Sequence, residues 1–271
     1  MIIAIDTGGT KTLICAFHKN GKMETIARFP TPAAPVDYVA LLKQTIRDKF
    51  RPDEVELIVL ALPGIIKDDV AIWCQNLKWR NFNVQKQLGN TLAGVPILVE
   101  NDANLGGLSE TRALNPIPKS SLYITISTGI GSGYSTNGHI DQGLRLSEAG
   151  RILIEYRGKI ATWEDTASGS AIVRTYKKMA RDIKKKRTWN AIADRISRGF
   201  VSLIPVIQPD VIIIGGSVGT YFNHYSVQLK DLLNNRLPAN IPLPKIVKAQ
   251  HPELAVIYGC YYYGKDHLAN K

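Results

Sequence analysis

The sequence predicts an α/β fold built by internal duplication. Short apolar runs at residues 57–62, 96–100 and 211–214 alternate with stretches of helical periodicity. A series of strand, Gly/Thr loop, strand and Asn-Gly turn occurs at the start of the chain and again from residue 121. Glycines or polar residues stand at the carboxyl ends of several strands, where α/β sheets place ligands.

The first series opens with an apolar run that ends in Asp6 and continues through Thr7-Gly8-Gly9-Thr10-Lys11-Thr12. Adjacent glycines let backbone N–H groups approach an anion, because no Cβ intervenes. Asp6 could hold a divalent metal directly or through water. The alternative is a glycine-rich hairpin that binds nothing. Residues 1–29 read as three strands, with Asn20-Gly21 as a two-residue hairpin turn.

Apolar spacing predicts a helix over residues 36–50, and a buried strand over 57–62 is broken by Pro63-Gly64. The run 96–100 ends in Glu100-Asn101-Asp102-Ala103-Asn104, followed by a helix to Arg112. Asp102 has two readings: an N-cap for that helix, or a general base that takes a proton from a hydroxyl.

The second series is a strand over 121–127, the loop Thr128-Gly129-Ile130-Gly131-Ser132-Gly133, a strand to Thr136, and Asn137-Gly138. Two such loops facing one another would grip a polyphosphate tail. No GxxxxGK[ST] pattern is present, so this is not a P-loop. Glu148-Ala149-Gly150-Arg151 and Trp163-Glu164-Asp165 put acidic residues around loops. Helices are expected over 168–185 and 188–208, the second broken or kinked near Pro205. The apolar strand 211–214 ends in Gly215-Gly216, a place for a nucleotide to lie against backbone. A helix over 221–233, a strand near Ile246 and a closing helix over 254–267, with Gly259 allowing close packing, complete the chain.

Composition sets bounds on all of this. With 271 residues, 45% hydrophobic and 21% charged, the chain suits one or two globular domains with a sizeable core. No apolar run approaches the ~20 residues of a membrane span, and no secretory signal is legible. Cys15, Cys74 and Cys260 are far apart and read as small core residues in a reducing compartment. The net charge of +11 favours polyanionic partners. Lys177, Lys178, Arg181, Lys184, Lys185, Lys186 and Arg187 concentrate it, and read as a solvated helix face and its exit loop. No aromatic residues or nucleic-acid motif accompany them.

Taken together, these motifs resemble the ROK family of sugar kinases and repressors, over essentially the whole chain. Asp6-x-Gly8-Gly9-Thr10-Lys11 is similar to the family's first phosphate loop. Leu62-Pro63-Gly64 with Asp68 is similar to its sugar-lining Pro-Gly segment, and Asn76-Leu77-x-Trp79 to the usual sequel. Glu100-Asn101-Asp102-Ala103-Asn104 resembles the catalytic motif, in which the Asp is the base. Ser127-Thr128-Gly129-x-Gly131 resembles the second phosphate loop, with Ser127 where Gly is usual. Pro209-Asp210 through Gly215-Gly216 resembles the adenosine segment.

The resemblance implies an actin-like ATPase (duplicated ribonuclease H-like) fold of two domains with a cleft between them. The smaller domain is expected at 1–106 plus 256–271, and the larger at 107–255. It implies ATP-dependent transfer of a phosphoryl group to a hexose or N-acetylhexosamine, as in a glucokinase. In that scheme Asp102 is the base and Asp6 positions Mg²⁺, through water. Gly8, Gly9, Thr10, Lys11, Ser127, Thr128, Gly129, Gly215 and Gly216 hold ATP, while Gly64, Asn101, Asp102, Glu148, Arg151 and Glu164 hold the sugar. A cytoplasmic enzyme is expected, with a homodimer as the candidate assembly and no DNA or membrane partner. ROK repressors carry a winged helix before the first loop, and Asp6 leaves no room for one. Zinc-bearing members have a His where Arg151 stands and a cysteine cluster that residues 156–163 lack. Arg stays protonated and cannot ligate zinc, so no zinc is expected. Arg151 would instead brace its loop by pairing with Glu148 or Glu164, or donate to the substrate. Two alternatives remain: a polyphosphate-dependent glucokinase and a non-catalytic sugar-binding protein.

Overall fold

The computed structural model describes residues 1–270. The chain divides into two compact units. One comprises Met1–Ser109 and the segment from Leu254 onward, and the other is Glu110–Glu253.

The first unit opens with β1 (Ile2–Thr7), β2 (Lys11–Phe17) and β3 (Met23–Pro30), an antiparallel meander. Helix α1 (Pro35–Lys49) buries Tyr38, Leu42 and Ile46, one stripe at four-residue spacing. Strand β4 (Leu57–Leu62) follows, with all six residues buried. Next come β5 (Ile65–Lys67), β6 (Val70–Cys74), β7 (Trp79–Asn83), α2 (Val84–Leu88), β8 (Ile97–Asn101) and α3 (Asp102–Arg112). The main sheet has the order β3-β2-β1-β4-β8, with β4 parallel to both β1 and β8. A strand paired on both sides and covered on both faces reads as a continuous apolar run, which is how β4 is written.

The second unit contains β9 (Ser120–Ile126), β10 (Ile130–Thr136), β11 (His139–Ile140), the hairpin β12 (Leu153–Tyr156) and β13 (Lys159–Thr162), α4 (Trp163–Ala167) and α5 (Gly169–Tyr176). It continues with α6 (Lys186–Ile207), β14 (Val211–Gly215), α7 (Gly216–Gly219), α8 (Ser226–Arg236) and β15 (Lys245–Lys248). Its sheet has the order β11-β10-β9-β14-β15, with β14 parallel to β9 and β15. Strand for strand this is the order of the first sheet, so the duplication legible in the motifs is a duplication of topology. The closing helix α9 (Ala255–Ala269) returns to the first unit. A Cβ on Gly259 would run into the carbonyl of Leu105, so the close packing expected there is real. Cys15, Cys74 and Cys260 are buried free thiols. Among the described residues, no helix is long and apolar enough to cross a membrane.

Several local expectations need correction. Asn137 and Gly138 both take positive φ, as a two-residue hairpin turn requires, but at Asn20-Gly21 only Gly21 does. There His18 N donates to Lys22 O and Gly21 N to His18 O, a three-residue loop with the glycine in the left-handed position. The helix expected over 168–185 stops at Tyr176, because Lys177 takes a left-handed conformation and caps it. The cations of 177–187 therefore occupy an exposed irregular segment and the first turn of α6 rather than one helix face. Pro205 does not break α6, since it lies in the last turn. The helix expected from residue 221 starts at Ser226, after a short 3-10 turn.

Candidate functional site

In the first unit, β1 carries Asp6 to the start of the glycine loop, and two backbone bonds and one side-chain bond hold the loop's carbonyls. Gly8 N donates to Lys11 O at 2.9 Å, Thr31 N to Thr10 O at 3.2 Å, and Thr31 Oγ1 to Gly8 O at 2.8 Å. Gly9 and Thr10 are exposed. Thr31 was not singled out from the sequence. It sits at the end of a strand with no motif of its own, and only the β2–β3 pairing brings it to the loop. Gly9 is required by its neighbour, since a Cβ there would press on Asn76. Burial pushes the Asp6 carboxyl up to about 6, against the pull of the Lys11 ammonium.

The catalytic-motif candidates gather at the carboxyl end of β8. Asn101 Oδ1 accepts from Asn104 N at 3.0 Å, and Asn101 Nδ2 donates to Gly64 O at 2.7 Å. Asn101, not Asp102, is thus the N-cap of α3. This corrects the capping reading of Asp102. Asp102 is the first residue of the helix, half-buried, and its Oδ1 accepts from Ala103 N at 2.8 Å. The capping oxygen is supplied one residue earlier. Glu100, missed from the sequence, is buried and takes the N–H groups of Asn101 (2.8 Å) and Asn104 Nδ2 (3.0 Å) on Oε1, fixing the motif from beneath. Gly64 takes φ +95°, and a Cβ there would meet the Trp73 carbonyl. Burial and the Asp102 carboxylate together push the nearby Cys74 thiol up to about 12.

In the second unit, three glycines from distant parts of the chain converge on residues 126–130. A Cβ on Gly150 would strike Ile130 O. One on Gly169 would strike Ser127 O, and one on Gly216 would strike Ile126 O and Ser127 Oγ. Around the loop itself, Ser127 N donates to Gly129 O at 2.9 Å, Gly169 N to Ser127 O at 2.7 Å, and Ser217 N to Ser127 Oγ at 3.1 Å. The serine that departs from the family pattern thereby ties the loop to the turn after Gly215-Gly216. Thr128 is exposed at the loop's tip.

Beside this loop lie Glu148, Arg151 and Glu164. Arg151 Nη1 pairs with Glu164 Oε1 at 3.2 Å, one of its two expected partners. Glu164 Oε2 accepts from Ile130 N at 2.8 Å. Burial raises the carboxyl of half-buried Glu148, with Arg151 opposing and Glu164 adding to the rise. The structure thus brings Ser127, Thr128, Gly129, Gly216, Glu148, Arg151 and Glu164 into one neighbourhood, and Gly64, Asn101 and Asp102 into another. Among the described residues no group of three or more His, Cys, Asp or Glu side chains is placed to hold a metal. Asp6, a single carboxylate, suits an ion that keeps most of its waters, as Mg²⁺ does.

A model described as "ROK family" matches residues 2–266. A glucokinase of Halalkalibacterium halodurans is 29% identical over 193 residues, which is 64% of this chain and 58% of that protein's length. Among solved structures, a ROK family glucokinase from Streptomyces griseus in complex with glucose and AMPPNP superposes with a TM-score of 0.81 at 20% identity, covering 98% of this chain and 99% of that one. An inorganic polyphosphate/ATP-glucomannokinase from Arthrobacter sp. strain KM gives 0.72 at 27% identity, with 98% of each chain covered.

Proposed function

The chain belongs to the ROK family and has its actin-like ATPase fold, and from that premise we propose that it is a sugar kinase that moves the γ-phosphoryl group of ATP to a hydroxyl of a hexose or N-acetylhexosamine. The observation that carries this reading is the division of labour at the start of α3. Asn101 takes the capping bond and Glu100 holds the turn, which sets half-buried Asp102 at the first position of α3, where the resemblance puts the base. In the reaction Asp102 accepts the hydroxyl proton, the hydroxyl oxygen bonds to the γ-phosphorus, and the bond from that phosphorus to the bridging oxygen breaks, releasing ADP. Gly8, Gly9, Thr10 and Lys11, with Ser127, Thr128 and Gly129, supply donors to the phosphates, and Gly215 and Gly216 admit the nucleoside. Mg²⁺ held through water by Asp6 would neutralise phosphate charge. Gly64, Asn101, Glu148, Arg151 and Glu164 read the sugar's hydroxyls, so that a sugar lacking a partner leaves a buried group unpaired.

Polyphosphate as donor is the second reading. It is favoured by the exposed cations of 177–187 and by the named donor of the Arthrobacter relative. The test is a coupled ADP-release screen across hexoses and N-acetylhexosamines, run with ATP and repeated with polyphosphate by product detection. Turnover of one sugar with ATP is the expected result. Binding of sugar without turnover on either donor would instead mark a non-catalytic sugar-binding protein.

A further inference from the structure

Glu164 is engaged on both of its oxygens in a way that no sugar-binding role requires. Its Oε2 takes the N–H of Ile130, the residue that closes the Ser127-Thr128-Gly129 loop. Its Oε1 pairs with Arg151. The carboxylate occupies the space where a Cβ on Gly129 would stand, so it lies flat against the loop backbone. The backbone that carries Glu164 is held firmly. Thr162 Oγ1 caps α4 by accepting from Asp165 N at 3.1 Å, and Trp163 N donates to Ile152 O at 2.9 Å. The Trp163 indole is buried against Gly199 of α6, where any side chain would overlap the ring. The loop's other flank is fixed by Ser127 through Gly169 N and Ser217 N. The Ile130 bond is therefore a point at which the Glu148–Arg151–Glu164 cluster reaches the loop through a side chain.

We propose that Glu164 is a positioning residue for the phosphate loop as well as a member of the sugar-side cluster, so that acceptor and donor occupancy are coupled through one carboxylate. This rests on the kinase reading above. A sugar hydroxyl that engages the carboxylate fixes its orientation, and with it the loop N–H groups that meet the donor. The second ligand then binds to a loop already ordered. Linkage requires the effect to be reciprocal.

The test is calorimetric and needs no turnover. Affinity for Mg²⁺ with a non-hydrolysable ATP analogue is measured with and without the hexose that shows turnover in the screen, on the full chain. In the unaltered protein the sugar should tighten the analogue by about 5-fold or more, within the range usual for coupled sites. Glu164→Gln keeps an oxygen for Ile130 N–H and should retain most of that factor. Glu164→Ala should reduce it to about one, measured at sugar concentrations that saturate the weaker sugar site this substitution leaves. Gly129→Ala, which keeps the loop N–H but puts a methyl group where the carboxylate lies, should also bring the factor to about one at saturating analogue, and serves if Glu164→Ala fails to fold. Coupling that survives in the Ala variants, or that is absent from the unaltered protein, overturns the proposal. If neither ligand binds the unaltered protein, the kinase reading itself fails, a result distinct from independent binding of both.

Discussion

The hydroxyl of Ser127 accepts the backbone N–H of Ser217 at 3.1 Å, a tie between residues ninety positions apart. It joins the loop after β9 to the turn after β14, the two parallel neighbours at the centre of the second sheet. A glycine at 127 could not make this bond. The departure from the family's usual glycine thus adds a connection between the two turns, where Gly216 has no Cβ to exclude it.

Ser127→Ala should weaken donor binding more than folding. The freed N–H belongs to an exposed residue that water can reach, so the stability loss should be about 0.5–1 kcal/mol by urea unfolding. The donor KM should rise about 3-fold or more with the sugar KM unchanged. An unaltered donor KM would show that the tie is incidental.

Thr31 should behave in the same way for the first loop. Thr31→Val removes the bonds to Gly8 O and to the buried Thr12 hydroxyl and should raise the donor KM several-fold at a stability cost of about 1–3 kcal/mol. Thr31→Ser keeps the hydroxyl and should restore the KM. Equal KM values for the Val and Ser variants would place the loop's support elsewhere.

Asp6 carries a stability cost with a defined pH signature. Its carboxyl rises from 3.8 to about 6 through burial. Between those values the folded chain keeps the proton that the unfolded chain has lost, so this group's contribution to stability falls as pH rises through the window. Above it the ionised group costs about 3 kcal/mol. Asp6→Asn should therefore be more stable than the unaltered protein at pH 7.5 without divalent ions, by up to that amount, with little difference at pH 4. Its turnover should fall at least about 10-fold at saturating Mg²⁺. Unfolding curves at the two pH values decide the first point. A less stable variant at pH 7.5 would show that burial does not disfavour the ionised carboxylate.

Arg151 opposes the upward shift of the Glu148 carboxyl. Arg151→Met should let that carboxyl rise further, so the acid limb of kcat/KM for sugar moves to higher pH. The limb should stay where it is if Glu148 takes no part in binding sugar.

Much of this arrangement was legible in the residues, for physical reasons that also explain what was not. Leu57–Leu62 reads as a buried strand because all six residues meet apolar neighbours, and it forms β4 without a shift. The duplicated loops were visible because backbone approach to an anion needs glycine in sequence. The supports were hidden because each joins distant segments: Thr31 to Gly8, Ser217 to Ser127, Glu164 to Ile130. The β5–β7 sheet escaped notice because its strands are three to five residues long, with Asp68, Asp69 and Lys78 at positive φ in its turns, positions where glycine would have signalled a turn. The cap of α3 stands one residue before the place that the capping reading of Asp102 gives it, because Asn101 and Asp102 are both good cap residues. Only the Asn104 N–H separates them.

The most direct measurement is the turnover of Asp102→Asn against the unaltered protein with the sugar identified in the screen, alongside calorimetric binding of that sugar. The amide is nearly isosteric and cannot accept the hydroxyl proton. Sugar affinity within a few-fold of the original, with kcat lower by at least ~10²-fold, is the result expected of a general base at this position. An unchanged kcat with sugar still bound would contradict the assignment of Asp102 and with it the mechanism built on the start of α3.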